Sequence, residues 1–356
     1  MGLPMSNRDS SAVPRFSILV PVYNVGAYLD ESVGSILAQS CCDYEVVLVD
    51  DGSTDGSSEK CDAYAAEREN FTVVHQENAG LLMARRAALA CARGCYIVML
   101  DADDALRPDA LEVLSTAIDT SGADIIAYDF SRSKDFHVHG PCRLSLAPGC
   151  YSGGDYERVK LEVCSGKHNN LWSKCYRREV VDVEADYSAH RGLIHAEDLL
   201  QLLPIVDAAH SFCYVDQALY YYRPNPSSST GSYKPRQLDD LSVALDALLS
   251  YAAKWGAECL DVARRGALLQ ISHLIHILVL SQMDEKRKFS ALERIRAYAE
   301  RVGLFGPWQR TMRADKRVEL GALERARYRS LCYIVRAMLL VKRAFDRHAE
   351  GRGAKR

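Results

Sequence analysis

The chain has 356 residues, 48% of them hydrophobic, enough to bury a core and to divide into two domains; disorder is excluded for most of its length. Its formal net charge of −3 gives no global case for nucleic-acid binding, although Arg310–Arg356 holds 14 Lys/Arg against five Asp/Glu, about +9, leaving the remainder near −12. Twelve cysteines, with no Cys-x-x-Cys pair and only Cys41–Cys42 and Cys91/Cys95 close together, read as buried free thiols of a reducing compartment, not as disulfides or a zinc centre.

Residues 1–14 are polar and aperiodic, a loose lead-in without the pattern of a signal peptide. The β-branched apolar runs Phe16–Tyr23, Tyr44–Val49, Phe71–Val74, Tyr96–Leu100 and Asp124–Tyr128 have strand length. Helices are expected between and after them, over 27–38, 56–69, 80–93 and 108–120. This alternation predicts an α/β fold with a mostly parallel sheet and flanking helices, whose ligands gather at the carboxyl ends of the strands. From 131 to 235 the signal is mixed, with helices at 155–163 and 197–206 and strands at 212–215 and 219–223. Beyond 235 everything reads as a C-terminal α-helical domain, with helices at 236–255, 257–283, 288–302 and 319–347.

The most apolar helical stretch, Leu268–Leu280, is too short to span a bilayer and is interrupted by Gln270, Ser272, His273 and His276, whose histidines read as core or groove residues. In the last helix Tyr328, Leu331, Cys332, Val335, Met338, Leu339 and Phe345 recur at helical spacing among Arg325, Arg329, Arg336, Lys342, Arg343 and Arg347. Such a basic amphipathic helix either lies on anionic lipid or closes the helical domain with its apolar face, and both readings stay open.

The fourth strand runs directly into Asp101-Ala102-Asp103-Asp104. One aspartate would suffice to cap the next helix. Three at a strand mouth raise one another's pKa unless a cation lies among them. Mg2+ or Mn2+ is expected, since these ions take oxygen ligands and bridge carboxylate to diphosphate. Alternation along an extended chain turns Asp101 and Asp103 to the same side.

Pro21-Val-Tyr-Asn24, Ser35-Ile-Leu-Ala-Gln39, Val49-Asp-Asp-Gly-Ser-Thr-Asp55, Gln76-Glu-Asn-Ala-Gly-Leu81, Ala84-Arg85 and Asp101-Ala-Asp-Asp104 resemble, in order and spacing, the GT-A (Rossmann-like) domain of family-2 glycosyltransferases. The resemblance is close over residues 16–130. It implies a GT-A domain over 15–235, with a nucleotide-sugar half (15–130) and an acceptor half (131–235), followed by the helical domain 236–356. It further implies that Pro21, Tyr23 and Asp51 hold the nucleotide base, that Arg85 lies by base and diphosphate, that Asp101 lies near the ribose and that Asp103 is the principal metal ligand. Such base contacts suit uracil, so a UDP-sugar is the expected donor.

His195-Ala-Glu197-Asp198 resembles the family's Glu-Asp motif, which implies Asp198 as general base and Glu197 as its neighbour or acceptor-binding partner. Without the resemblance, the pair reads as an acidic first turn favoured by the helix dipole. Asn170-Leu-Trp-Ser-Lys-Cys-Tyr-Arg-Arg-Glu179 resembles the family's Trp-Asn-Lys-Leu-Tyr-Arg-Arg-Glu segment, implying that Trp172 stacks on acceptor sugar and Lys174 hydrogen-bonds it; Ser173, Cys175 and Arg86 depart from the usual residues. Arg223, ahead of Pro224-Asn-Pro-Ser-Ser-Ser-Thr230, is expected to clamp the diphosphate when that loop closes.

The expected activity is therefore inverting, metal-dependent transfer of a single hexosyl or N-acetylhexosaminyl unit to a hydroxyl of a glycan or lipid-linked acceptor. The setting implied is bacterial surface-polysaccharide assembly, in the cytoplasm or peripherally on the inner face of the membrane. No nucleic-acid partner is expected, and a homo-oligomer is compatible with the sequence. The Gln-x-x-Arg-Trp motif and membrane helices of polymer-making members are missing. Two other classes stay open: a nucleotidyltransferase, whose basic Gly-rich loop after strand one is missing, and a nucleotide-sugar-binding protein without transfer.

Overall fold

Strand β1 (Phe16–Val22) is buried at every position, as expected of a strand that is apolar but for Ser17 and covered on both faces. It pairs in parallel with β2 (Tyr44–Asp50) and β4 (Tyr96–Met99), and β2 pairs in parallel with β3 (Phe71–His75). Helices α1 (Leu29–Leu37), α2 (Ser57–Glu67) and α3 (Leu81–Cys91) follow the first three strands. In this computed structural model the residues described are 13–137, 139–140, 144–224 and 233–353, the last with side chains as far as Val341.

The chain continues through β5 (Ala105–Leu106), α4 (Ala110–Ser121), β6 (Ile125–Ser131), β7 (Gly149–Ser152), α5 (Glu157–Cys164), β8 (Lys174–Arg177), α6 (Glu197–Ala208) and β9 (Ser211–Tyr221). Among the described residues the nine strands form one sheet, in the order β3-β2-β1-β4-β8-β6-β9-β5, with β7 on β9. Parallel pairing holds through β1–β4; β8 then enters antiparallel to both β4 and β6, making the sheet mixed. Strands β5, β7 and β8 are two to four residues long, too short to leave a periodic signal. The two strands expected at 212–223 are one. Tyr128 pairs with Val215 but Asp129 with Ala218, so the polar Asp216-Gln217 step is a bulge inside β9.

The chain forms two compact units. One takes in residues up to Val159 and His168–Pro224; the other takes in Lys160–Lys167 and the chain beyond Pro224. The helical unit contains α7 (Gln237–Trp255), α8 (Ala257–Leu280), α9 (Glu285–Arg301), α10 (Ala314–Glu324) and α11 (Tyr328–Gly353). The single helix expected over 319–347 is broken. Ala326 adopts φ 53°, and Arg327 N donates back to Ala322 O at 2.8 Å, closing α10 in the manner usually given to glycine. Inside this unit the fully buried Glu319 accepts from Ser272 Oγ at 2.7 Å and meets Lys316 Nζ and His276 Nε2, both at 3.0 Å, which gives His276 a packing role.

Helix α11 buries Leu331, Cys332 and Val335 while Tyr333, Leu340 and Val341 face solvent, so its apolar residues serve two faces. No helix among the described residues is long and apolar enough to cross a membrane. Six of the eleven described cysteines are buried, but Cys42, Cys91, Cys95 and Cys150 are exposed, correcting the expectation of buried thiols; Cys91 and Cys95 flank the turn between α3 and β4, where the chain leaves the core.

Candidate active site

The carboxyl ends of β1 and β2 are laced together. Pro21 is buried in β1 opposite Val49, whereas Tyr23, one residue past the strand, is 50% exposed. Asn24 takes φ 52°, donates through its N–H to Ser53 Oγ (3.1 Å) and accepts from Thr54 N (2.8 Å), and Gly26 N donates to Asp55 Oδ2 (2.9 Å). Burial would raise the Asp50 carboxyl, but hydrogen bonds from Ser53 and His75 hold it below the ordinary range, so it secures the turn after β2. Gly52, at φ 77°, is needed there, since a Cβ would stand 3.0 Å from Asn78 N.

Asp51 is 2% exposed, and its carboxylate accepts from Gln76 Nε2 (2.6 Å), Ala79 N (2.8 Å) and Gly80 N (2.9 Å). Its direct contribution is thus to shape the Gln76–Gly80 loop at the head of α3, a partnership that base recognition alone did not suggest.

Arg85 lies on the buried face of α3 with Leu82 and Leu89 and is 1% exposed. Its Nη2 donates to Asp101 Oδ1 at 2.9 Å and its Nη1 to Asp198 Oδ1, joining the end of β4 to the head of α6. Burial would lower the guanidinium pKa; Asp198 and then Asp101 more than offset this and raise it. Asp101 is itself raised by burial and by Asp198 and Asp103, against the pull of Arg85.

The three aspartates of the Asp101–Asp104 turn have separate environments. The Asp103 carbonyl accepts from Arg223 Nε (2.6 Å), while its carboxylate makes no hydrogen bond or ion pair with the described residues. Asp104 is buried and accepts from Tyr220 Oη and Arg223 N, both at 2.8 Å; Tyr220 Oη in turn accepts from Asp101 N at 3.2 Å.

Burial, with Asp101 and Asp103 nearby, pushes Asp104 up to about 8 from the usual 3.8. A carboxyl raised on folding holds its proton more tightly in the native state. Its contribution is complete below the unfolded value and is lost as pH rises through the folded one. The melting temperature is therefore expected to fall, relative to an Asp104→Asn variant, as pH rises from about 4 to about 8; parallel curves for the two proteins would contradict this.

Arg223 is committed within its unit. It pairs with Glu31 at 2.8 Å and lies over the rings of Tyr28 (4.9 Å) and Tyr221 (5.3 Å). Guanidinium, ring and carbonyl contacts hold the side chain against β9 and the 103–104 turn, so the expected diphosphate clamp requires the guanidinium to leave Glu31. The loop expected to carry it, from residue 225 on, lies outside the described residues.

At the head of α6, Ala196 takes φ 63° and turns two carboxylates inward. Asp198 accepts from Arg85 and, through Oδ2, from Leu171 N at 3.3 Å. The Glu197 carboxylate accepts from its own backbone N–H and has no side-chain partner among the described residues, and burial followed by the Asp198 charge raises its pKa.

The two acceptor residues have other employment. Lys174 is 3% exposed and donates to His168 O (2.7 Å), Asn170 O (2.6 Å) and Asn170 Oδ1 (3.0 Å), its pKa pushed down to about 7 by burial. With all three donors used, it ties the 168–170 loop to β8 and has none left for a sugar. Trp172 is 9% exposed, stacked on Tyr220 (4.6 Å) and Tyr222 (5.3 Å) with Phe130 packed edge-to-face against it (5.1 Å), so little of its ring is open to an acceptor sugar. The half-buried Tyr222 is the aromatic of this group that reaches solvent.

Residues 17–160 match the family described as Glycosyl transferase family 2. The chain is 30% identical over 246 residues to the uncharacterized glycosyltransferase EpsJ of Bacillus subtilis (strain 168), covering 68% of this chain and 71% of that relative. The chain belongs to glycosyl transferase family 2. Hyaluronan synthase of Pasteurella multocida is 37% identical over 167 residues, 47% of this chain and 17% of the synthase. The crystal structure of S. aureus TarS 1-349 in complex with UDP-GlcNAc superposes with a TM-score of 0.68 at 18% identity, covering 92% of each chain, a likeness of fold.

In this glycosyltransferase several residues inside the matching segments have working roles that the resemblance left unassigned. Tyr220 organises the Asp101–Asp104 turn, and Gln76 and Leu171 N position Asp51 and Asp198. Arg85 also carried a signal of its own, a charge on the buried face of a helix. Arg86 donates to Val183 O (2.7 Å) and lies over Tyr187 (5.1 Å), bracing the segment that leads to α6.

Proposed function

We propose that this glycosyltransferase carries out a single inverting displacement, moving one hexosyl or N-acetylhexosaminyl unit from a UDP-sugar to a hydroxyl of a glycan or lipid-linked acceptor. The observation that carries this reading is the Arg85 bridge, which gathers the Asp101–Asp104 turn and the Glu197–Asp198 pair around one buried guanidinium. In this proposal residues 15–130 bind the donor and 131–235 the acceptor. Pro21, Tyr23 and the remaining lone pairs of Asp51 receive the base, and Asp101 lies by the ribose.

Asp103 suits Mg2+ or Mn2+, since its carboxylate is an oxygen donor left unpaired by the described residues. Such an ion, when bound, neutralises charge on the departing nucleoside diphosphate. Asp198 takes the acceptor proton as the hydroxyl attacks C1. A second reading assigns that step to Glu197, favoured by its raised pKa and by a carboxylate that no described side chain engages. The names of the relatives support polysaccharide assembly as the setting, and the UDP-GlcNAc complex of TarS puts a uridine donor on the same fold. With no membrane-crossing helix among the described residues, the basic α11 is the proposed contact with an anionic inner membrane surface.

A thermal-shift screen of UDP-, GDP- and dTDP-sugars with Mn2+ tests the donor. A UDP-sugar at 100 times its Kd should stabilise the protein by about 2.7 kcal/mol, and Asp103→Asn should remove the Mn2+-dependent part of that shift. Stabilisation by GDP-sugars alone would refute the uracil assignment, and an unaltered Mn2+ effect in Asp103→Asn would refute the metal ligand.

A further inference from the structure

We propose a second divalent-cation site, separate from the donor diphosphate, formed by Asp129, His139 and Asp216. One ligand atom from each lies within 4.8 Å of the others. His139 Nδ1 is 2.5 Å from Asp129 Oδ2 and 4.0 Å from Asp216 Oδ1. Ligand atoms held at about 2.1 Å from a first-row ion stand about 3 Å apart when adjacent and about 4 Å when opposed, so side-chain adjustments of well under an ångström would close the set.

Three separate backbone segments deliver these groups. Asp129 comes from β6. His139 comes from a strap annealed beside β6 through the Ser131–His139 bridge and the Gly140 N–H donated to Phe130 O. Asp216 comes from the bulge of β9, where the ladder passes from Val215 to Ala218. A bulge re-aims a side chain at the expense of pairing, and this one turns a carboxylate toward the other two groups. Asp129 is 2% exposed, and its second oxygen accepts from Tyr214 Oη at 2.9 Å, the kind of outer hydrogen bond that orients a ligating carboxylate. His139 and Asp216 are open to solvent, leaving room for water to complete the coordination.

The mix of carboxylate oxygen and imidazole nitrogen suits Zn2+, Co2+ or Mn2+. The site is distinct from the donor pocket. Tyr128 and Phe130, on either side of Asp129, turn to Trp172, through the Tyr128 Oη bond to Trp172 O (2.8 Å) and the Phe130 edge contact. Alternation along the strand sends Asp129 to the opposite face of the sheet. The ion would clamp the strap carrying His139 to the sheet and take no part in transfer.

Co2+ titration of the full chain tests this, using the chelator-treated Asp103→Asn variant without nucleotide, so that the donor-side ligand is removed. One equivalent should bind with a visible d–d absorption, and His139→Gln and Asp216→Asn, both at solvent-facing positions, should each weaken it at least tenfold without altering the metal-free melt. Zn2+ should raise the melting temperature only where the three residues are intact. Absence of a bound equivalent, or unchanged affinity in both variants, would overturn the proposal and leave only the His139–Asp129 contact.

Discussion

Replacing Asp198 by asparagine is expected to lower transfer by about 10²- to 10⁴-fold, the range over which a positioned proton acceptor contributes, while nucleotide-sugar affinity is retained. Asparagine keeps the shape of the side chain and can still accept from Arg85 or Leu171 N, so the loss falls on proton transfer. Wild-type turnover in this variant would remove Asp198 from the base role. The parallel Glu197→Gln variant separates the two readings. Were Glu197 the base, its raised pKa would place the acid limb of the kcat/KM profile above the ordinary carboxylate range, and that limb would disappear on substitution. With Asp198 as base, Glu197→Gln should change KM for the acceptor more than kcat.

Removing the Arg85 charge is expected to be more damaging to the fold than any other change at the site. Arg85→Met strands the carboxylates of Asp101 and Asp198, and breaking a buried ion pair by deleting one partner costs about 3–5 kcal/mol. Lysine should not rescue it, because a single ammonium lacks the planar fork that donates to both carboxylates through separate nitrogens. Denaturant unfolding followed by tyrosine and tryptophan fluorescence measures the effect, and a loss below about 1 kcal/mol would mean that water replaces the guanidinium instead of leaving the charges unpaired. Activity should vanish together with stability, since both halves of the site lose their common support.

The parts of this structure that could be read from the sequence are those whose pattern is local. Phe16–Val22, apart from Ser17, and Tyr44–Asp50, apart from Glu45 and Asp50, are apolar because both faces of those strands are covered. Ala105–Leu106 and Lys174–Arg177 are strands only because β9, β4 and β6 lie beside them, information held far away in the chain. The break between α10 and α11 falls on Ala326 without glycine or asparagine to mark it. In the site, Asp51, Lys174, Trp172 and Arg223 were recognisable as residues of consequence, but their partners are loop amides, carbonyls and rings that no spacing rule connects to them. Lys174 illustrates the difference: its motif suggested an outward hydrogen bond, and three acceptors of its own loop hold it inward.

The Arg85 bridge also bears on how new specificities could be obtained from this scaffold. A graft that imports the acceptor-side segment of a relative must bring an acidic residue to the position of Asp198, or the recipient helix α3 will present an unmatched cation to the incoming piece. Recombination between family members is therefore constrained at a single electrostatic seam, while residues outside it, such as the solvent-reaching Tyr222, are free to be diversified in search of other acceptors.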